Sequence, residues 1–135
     1  MKIRIDRLDE NNLDDFADLL YRFFRKLRRK QGWRPPARTD LEEESQKAFK
    51  RNDIVLMGYE KSKPLGFVRV STCHKDAVFW IEEIFVVPEF RRIGIAPKLV
   101  KAAENEVLGR GEKSIYHFVL LQGLFISGNL WDVVL

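Results

Sequence analysis

The chain has 135 residues, the length of one domain, with room for a single core and no second. Apolar residues make up 45% and charged residues 33%, which excludes a disordered or collagen-like chain. Lys and Arg total 24 against 20 for Asp and Glu, a net charge of +4 that permits an anionic ligand without demanding nucleic acid.

No apolar run approaches the roughly 20 residues of a membrane span. Residues 1–20 carry acids throughout and lack a signal-peptide core. The single cysteine, Cys73, cannot form an internal disulfide, and no thiolate cluster is available for a metal. The expected setting is a reducing cytoplasm, with no membrane contact and no metal.

Residues 2–7 alternate apolar and polar, the pattern of a half-buried first strand. Asp9 or Asn11 is then placed to cap a helix. Its apolar positions, Leu13, Phe16, Leu19, Leu20, Phe23, Phe24 and Leu27, fall at steps of three and four on one stripe. Its acids come early and its bases late, as the helix dipole favours, and Gly32 with Pro35-Pro36 ends it. Thr39 or Asp40 is expected to cap a second helix through about Arg51. Asp53 to Tyr59 and Leu65 to Thr72 read as strands of a hairpin about a turn at Lys61–Pro64. After a second turn at Lys75-Asp76, Ala77 to Val87 is the strongest strand, rich in β-branched and aromatic residues. Pro88 stops it. A loop to about Ile93 leads into a helix to about Leu108, with Gly109 and Gly111 at its end. Ser114 to Leu121 is a last strand. The order is β-α-α-β-β-β-α-β in one α/β domain over residues 1–135.

The segment with chemistry in it runs from Ile84 to Leu99. A strand ends, a short basic loop (Pro-Glu-Phe-Arg-Arg) follows, and a helix begins at small residues. A helix N-terminus offers unpaired N–H groups and partial positive charge. Gly94 lets main chain approach a ligand without a Cβ between them, and Ala96 keeps the approach open. Pro97 suits the first turn, where a missing N–H costs little. Arg91, Arg92 and Lys98 add positive charge. The sum is a phosphate cradle, best suited to a pyrophosphate.

This segment resembles the acetyl-coenzyme A signature of the GNAT N-acetyltransferases, Arg/Gln-x-x-Gly-x-Gly/Ala, with Arg91, Gly94 and Ala96 at the signature positions. Val86 to Arg91 is similar to the family's usual lead-in, and the element order matches the family's mixed central sheet from residue 2 to about 121. The resemblance implies an acyl-CoA cofactor, acetyl-CoA. It implies that the amides of Arg92, Ile93, Gly94, Ile95 and Ala96 hold the pyrophosphate. It further implies that the strand at Ile84, Phe85 and Val86 pairs its edge with the pantetheine, and that this strand splays from the one at 114–121. The implied reaction is direct acetyl transfer to a primary amine of a small molecule or a protein.

Amine acetylation needs the amine neutral, and a carboxylate can remove its proton, often through water. Glu82 and Glu83 lie on the strand just before the cofactor edge, and strand alternation sends them to opposite faces. Both are candidate bases, with Glu82 the closer match to an acid that serves in some polyamine acetylators of the family. Cys73 and His74 read as ordinary strand-end and turn residues. Tyr116, His117, Phe79 and Trp80 read as packing or cleft-wall residues. The basic run from Arg25 to Arg38, with Trp33 inside it, reads as a solvated helix end or as a surface for an acidic partner or nucleic acid. In the resembling family the loop between the first two helices borders the acceptor site, so Trp33 is placed to influence substrate choice.

After Leu121 the family pattern fails. The family continues with a tyrosine-bearing helix and two strands, whereas residues 122–135 form a short apolar tail without tyrosine, as a truncated or frameshifted end would. An uncovered sheet edge invites pairing with another chain, so a homodimer and weak turnover are expected. Two other readings stay open: an acyl-CoA-binding module without turnover, and a basic interaction protein built on Arg25 to Arg38.

Overall fold

The computed structural model describes residues 2–73 and 78–109. The elements are β1 (Arg4–Arg7), α1 (Leu13–Gln31), α2 (Arg38–Lys50), β2 (Ile54–Glu60), β3 (Lys63–Cys73), β4 (Val78–Val86), a 3-10 turn (Pro88–Phe90) and α3 (Ile95–Gly109). The four strands form one sheet in chain order, antiparallel throughout. The parallel neighbour that would make the sheet mixed, expected at 114–121, lies outside the described residues. So do His74, Tyr116, His117 and the tail with its expected dimer contact. No helix among the described residues is long and apolar enough to cross a membrane.

The helices sandwich the sheet. α1 buries Phe16, Leu19, Leu20, Phe23 and Leu27, the stripe its spacing predicts. Edge-to-face rings join it to the sheet: Phe16 meets Phe67 at 5.3 Å, and Phe23 meets Phe85 at 5.8 Å. α3 covers the opposite face with Ile95, Leu99, Val100, Ala103 and Val107 buried. There β2 comes close at Gly58, where an added Cβ would touch Ile95. Gly32 ends α1 in the left-handed region (φ 73°), with its N–H donating to Arg29 and that of Trp33 to Arg28.

Two helix starts differ from expectation. The residue preceding α1 is Asn12, and its side chain makes no cap. Asn12 instead accepts from the Asp9 amide at 2.8 Å and donates to the Arg7 carbonyl at 3.0 Å, while Asp9 accepts from the Asn11 amide. The side chains of Asp9 and Asn12 build the turn out of β1, a local alternative to capping. α2 begins at Arg38 after an extended Ala37, so Thr39 and Asp40 fall within its first turn. The Arg38 guanidinium bridges to Asp18 of α1 and to Glu42, and the cap position, Ala37, precedes the predicted caps Thr39 and Asp40.

The sheet also contains charge that apolar patterning does not explain. Arg69 and Glu83 are paired in register on β3 and β4 and are both buried. The guanidinium donates to the two Glu83 oxygens at 2.6 and 2.7 Å and to Glu44 of α2 at 2.8 Å. Glu44 in turn accepts from Arg51, which also pairs with Asp53. Burial pushes the Glu83 carboxyl up, with Arg69 pulling the other way. At Glu44 burial also pushes upward, but the hydrogen bonds from Arg51 and Arg69 outweigh it and hold the group below the usual carboxylate range. This chain of ions fastens α2 to the sheet.

Breaking one side of such a pair strands a buried charge. Arg69→Leu is expected to lower stability by about 3–5 kcal/mol in urea unfolding, and the double variant Arg69→Leu/Glu83→Leu to recover most of it. Equal loss in both variants would show that the pair itself supplies the stability.

Candidate active site

The site is built where β4 ends. Val87 donates to the Leu65 carbonyl at 2.9 Å, the last bond between β4 and β3. Antiparallel alternation then turns the backbone groups of Phe85 and Glu83 toward β3 and those of Val86 and Ile84 outward. The outer edge is therefore presented by Ile84 and Val86. Phe85 of the predicted edge trio serves differently: its backbone faces β3 and its ring packs between Phe23 and Phe67.

The register of β3 and β4 shifts here. Arg69 pairs with Glu83 and Val70 with Ile81, which leaves Glu82 as an extra residue on β4. A bulge of this kind disrupts the ladder locally and re-aims the side chains at the bend. Glu82 is half-buried. Glu83 is held by Arg69. The two expected carboxylates thus occupy unlike environments.

Beyond Val87 the 3-10 turn bends the chain around the end of the sheet. Phe90 and Arg91 donate to Val87 and Pro88. Arg91 then folds back: its Nε donates to the Val86 carbonyl at 2.8 Å, and its guanidinium lies 5.7 Å from the centre of the Phe85 ring. Burial lowers the Arg91 pKa, and the charge of Arg22 acts in the same sense against Glu89. Its side chain braces the turn and closes part of the strand edge.

The next residues take up left-handed backbone, Arg92 at φ 66° and Gly94 at φ 90°. For a non-glycine such as Arg92 this conformation is uncommon, and it marks a turn held by its surroundings. Among the described residues, the amides of Arg92, Ile93, Gly94, Ile95 and Ala96 have no protein acceptor. The first helical bond into this stretch is from Lys98 to the Gly94 carbonyl, and Pro97 has no N–H to satisfy. Arg92, Ile93 and Gly94 are exposed, and a Cβ added at Gly94 would meet nothing within 4 Å. The result is a row of donors around an open space at the positive end of a 15-residue helix. Such an arrangement fits a pyrophosphate. Among the described residues no group of three His, Cys, Asp or Glu is placed to hold a metal.

The geometry agrees with the relatives of the chain. Residues 13–123 match the model of the Acetyltransferase (GNAT) family. The chain belongs to the GNAT acetyltransferases. Membership brings the fold and the class of chemistry, acetyl transfer from acetyl-CoA. An uncharacterized N-acetyltransferase of Archaeoglobus fulgidus is 29% identical over 117 residues, 82% of this chain and 78% of that one. Among solved structures, AAC(6')-Iy bound to the bisubstrate analogue CoA-S-monomethyl-acetylneamine superposes with TM-score 0.69 at 18% identity, over 91% of this chain and 83% of that one. The ribosomal-protein-alanine N-acetyltransferase of Brucella melitensis biovar Abortus 2308 gives TM-score 0.68 at 16% identity, covering 91% and 84%. The family match ends at residue 123, so most of the atypical tail falls outside it.

Sequence reasoning missed the Arg69–Glu83 pair and the bulge at Glu82. An arginine in apolar β3 and an acid pair in apolar β4 were signal enough for the first, because a buried charge requires a partner. The bulge depends on the partner strand's register and leaves no mark in β4 alone.

A β-branched side chain at Gly94 would project among the free amides and strain the left-handed turn. Gly94→Val is expected to weaken CoA binding at least tenfold by calorimetry and to leave the far-UV spectrum native. Gly32→Val, with comparable backbone strain far from the cradle, is expected to keep full CoA affinity. Equal affinity in Gly94→Val and wild type would remove the cradle from the site.

Proposed function

We propose that this chain transfers an acetyl group from acetyl-CoA directly to a primary amine, without a covalent acyl-enzyme. The observation that carries this reading is the row of acceptor-free amides from Arg92 to Ala96, beside a strand edge with its own outward groups. The amides hold the pyrophosphate, and the α3 dipole supports its charge. The outward groups of Ile84 and the Val86 N–H would pair with the amides of the pantetheine. When bound, acetyl-CoA would supply an acyl carbon activated as a thioester, with the acetyl group passing to the amine nitrogen and CoA leaving as a thiolate that takes a proton to become the free thiol.

Glu82 accepts the proton that the amine must lose, directly or through one water. Its place at the bulge suits it to this task. Glu83 positions β4: with both oxygens engaged by Arg69, it holds the strand against α2 and so fixes the bend at Glu82.

Thiol release from acetyl-CoA in the presence of primary amines tests the reaction. Glu82→Gln is expected to lower kcat/KM by about 10²–10⁴-fold, the usual scale of general base catalysis, with CoA affinity unchanged. Glu83→Gln is expected to act mainly on stability. Full activity in Glu82→Gln would assign the proton to another group. CoA binding without thiol release for any amine would favour a binding module.

A further inference from the structure

Arg22, Arg25, Lys26 and Arg29 of α1, with Phe85 and Pro88, line an open groove of about 370 Å³. The four cations are spaced three and four apart and share one face of the helix. The helix dipole accounts for basic residues in the last turn, which are Arg28, Arg29 and Lys30. It does not account for Arg22, Arg25 and Lys26, which stand one to two turns earlier. Arg22 reaches Glu89 at 3.4 Å. Among the described residues, Arg25, Lys26 and Arg29 form no ion pair. Burial lowers the Lys26 pKa, and the charges of Arg91 and Lys30 lower it further. The groove thus concentrates uncompensated positive charge that a bound anion would relieve.

The groove lies on the α1 face of the sheet, beside Arg91 at the approach to the amide cradle. Phe85 faces α1, whereas α3, whose start forms the cradle, packs on the opposite face of the sheet. The floor of the groove is three residues along β4 from Glu82, or about 10 Å at the rise of a strand. Its volume lies within the range of small-ligand sites.

We infer that this groove selects the acceptor: it binds the carboxylates of an acidic peptide segment whose amino terminus receives the acetyl group at Glu82. Three arginines give the planar forks that suit carboxylates, and an extended segment of three residues spans the distance from amine to anion. An amine-rich sugar such as the neamine part of the analogue bound to AAC(6')-Iy would meet like charge here. The inference rests on the acetyltransferase reading above and adds the acceptor class to it.

The test uses three tetrapeptides with free amino termini, Ala-Ala-Asp-Glu, Ala-Ala-Ala-Ala and Ala-Ala-Lys-Lys, with thiol release as the readout. The wild-type protein is expected to favour the acidic peptide over the basic one at least tenfold in kcat/KM, with the preference shrinking as salt rises. Arg25→Glu/Arg29→Glu is expected to reverse the preference, Arg25→Gln/Arg29→Gln to abolish it, and both variants to bind CoA within twofold of wild type. Equal use of acidic and basic peptides by the wild type would overturn the inference while leaving acetyl transfer intact. So would variants that lose CoA affinity without a change in peptide preference, because the groove would then serve the cofactor's phosphates. If no peptide is acetylated, calorimetry on the CoA-loaded protein decides. Acidic-peptide binding lost in the Glu variant supports the groove, and undetectable binding to the wild type overturns it.

Discussion

The structure turns on a single stretch of backbone that gives up its internal hydrogen bonds. Between the last bond of β4 and the first bond of α3, the chain passes through two left-handed residues and leaves five successive amides without acceptors among the described residues. Unsatisfied donors are tolerated where water or a ligand can reach them, and here Arg92, Ile93 and Gly94 are exposed, with open space beside Gly94. The conformation persists because its ends are fixed. Val87 is bonded to β3, Arg91 is folded onto Val86 and Phe85, and Ile95 is buried against the sheet.

β4 links this turn to everything else. One of its faces carries Phe85 into the aromatic cluster under α1, and Glu83 into the ion chain that holds α2. Its outer edge carries the outward groups of Ile84 and the Val86 N–H, and its bulge falls at Glu82. A strand held so firmly on one side can present a precise edge on the other. Rigid elements of this kind position a reacting group better than a loop does. The positive charge is divided in the same way: backbone dipoles at the α3 start, and side-chain cations along α1 on the other face.

Much of this was legible in the sequence because it depends on local pattern. The steps of three and four in Phe16, Leu19, Leu20, Phe23 and Leu27 identified α1 and its buried face. The run of β-branched and aromatic residues identified β4, and the glycine between a basic loop and a helix identified the cradle. What was not legible depends on partners far along the chain. The start of α2 follows from Arg38 reaching Asp18, twenty residues earlier. The bulge at Glu82 exists only relative to β3, and the buried pair requires residues 69 and 83 to face each other. Arg25 and Arg29 read in sequence as a solvated helix end or as a surface for an acidic partner or nucleic acid, and the groove they share with Phe85 and Pro88 depends on residues sixty positions away.

The central claim is that main-chain amides grip the cofactor, and amide NMR addresses it directly. On titration of the ¹⁵N-labelled chain with CoA, the resonances of Arg92 to Ala96 are expected to show the largest shifts, together with Ile84 and Val86, while α2 stays unchanged. CoA binding that shifts residues elsewhere and leaves Arg92 to Ala96 at their free positions would contradict the account.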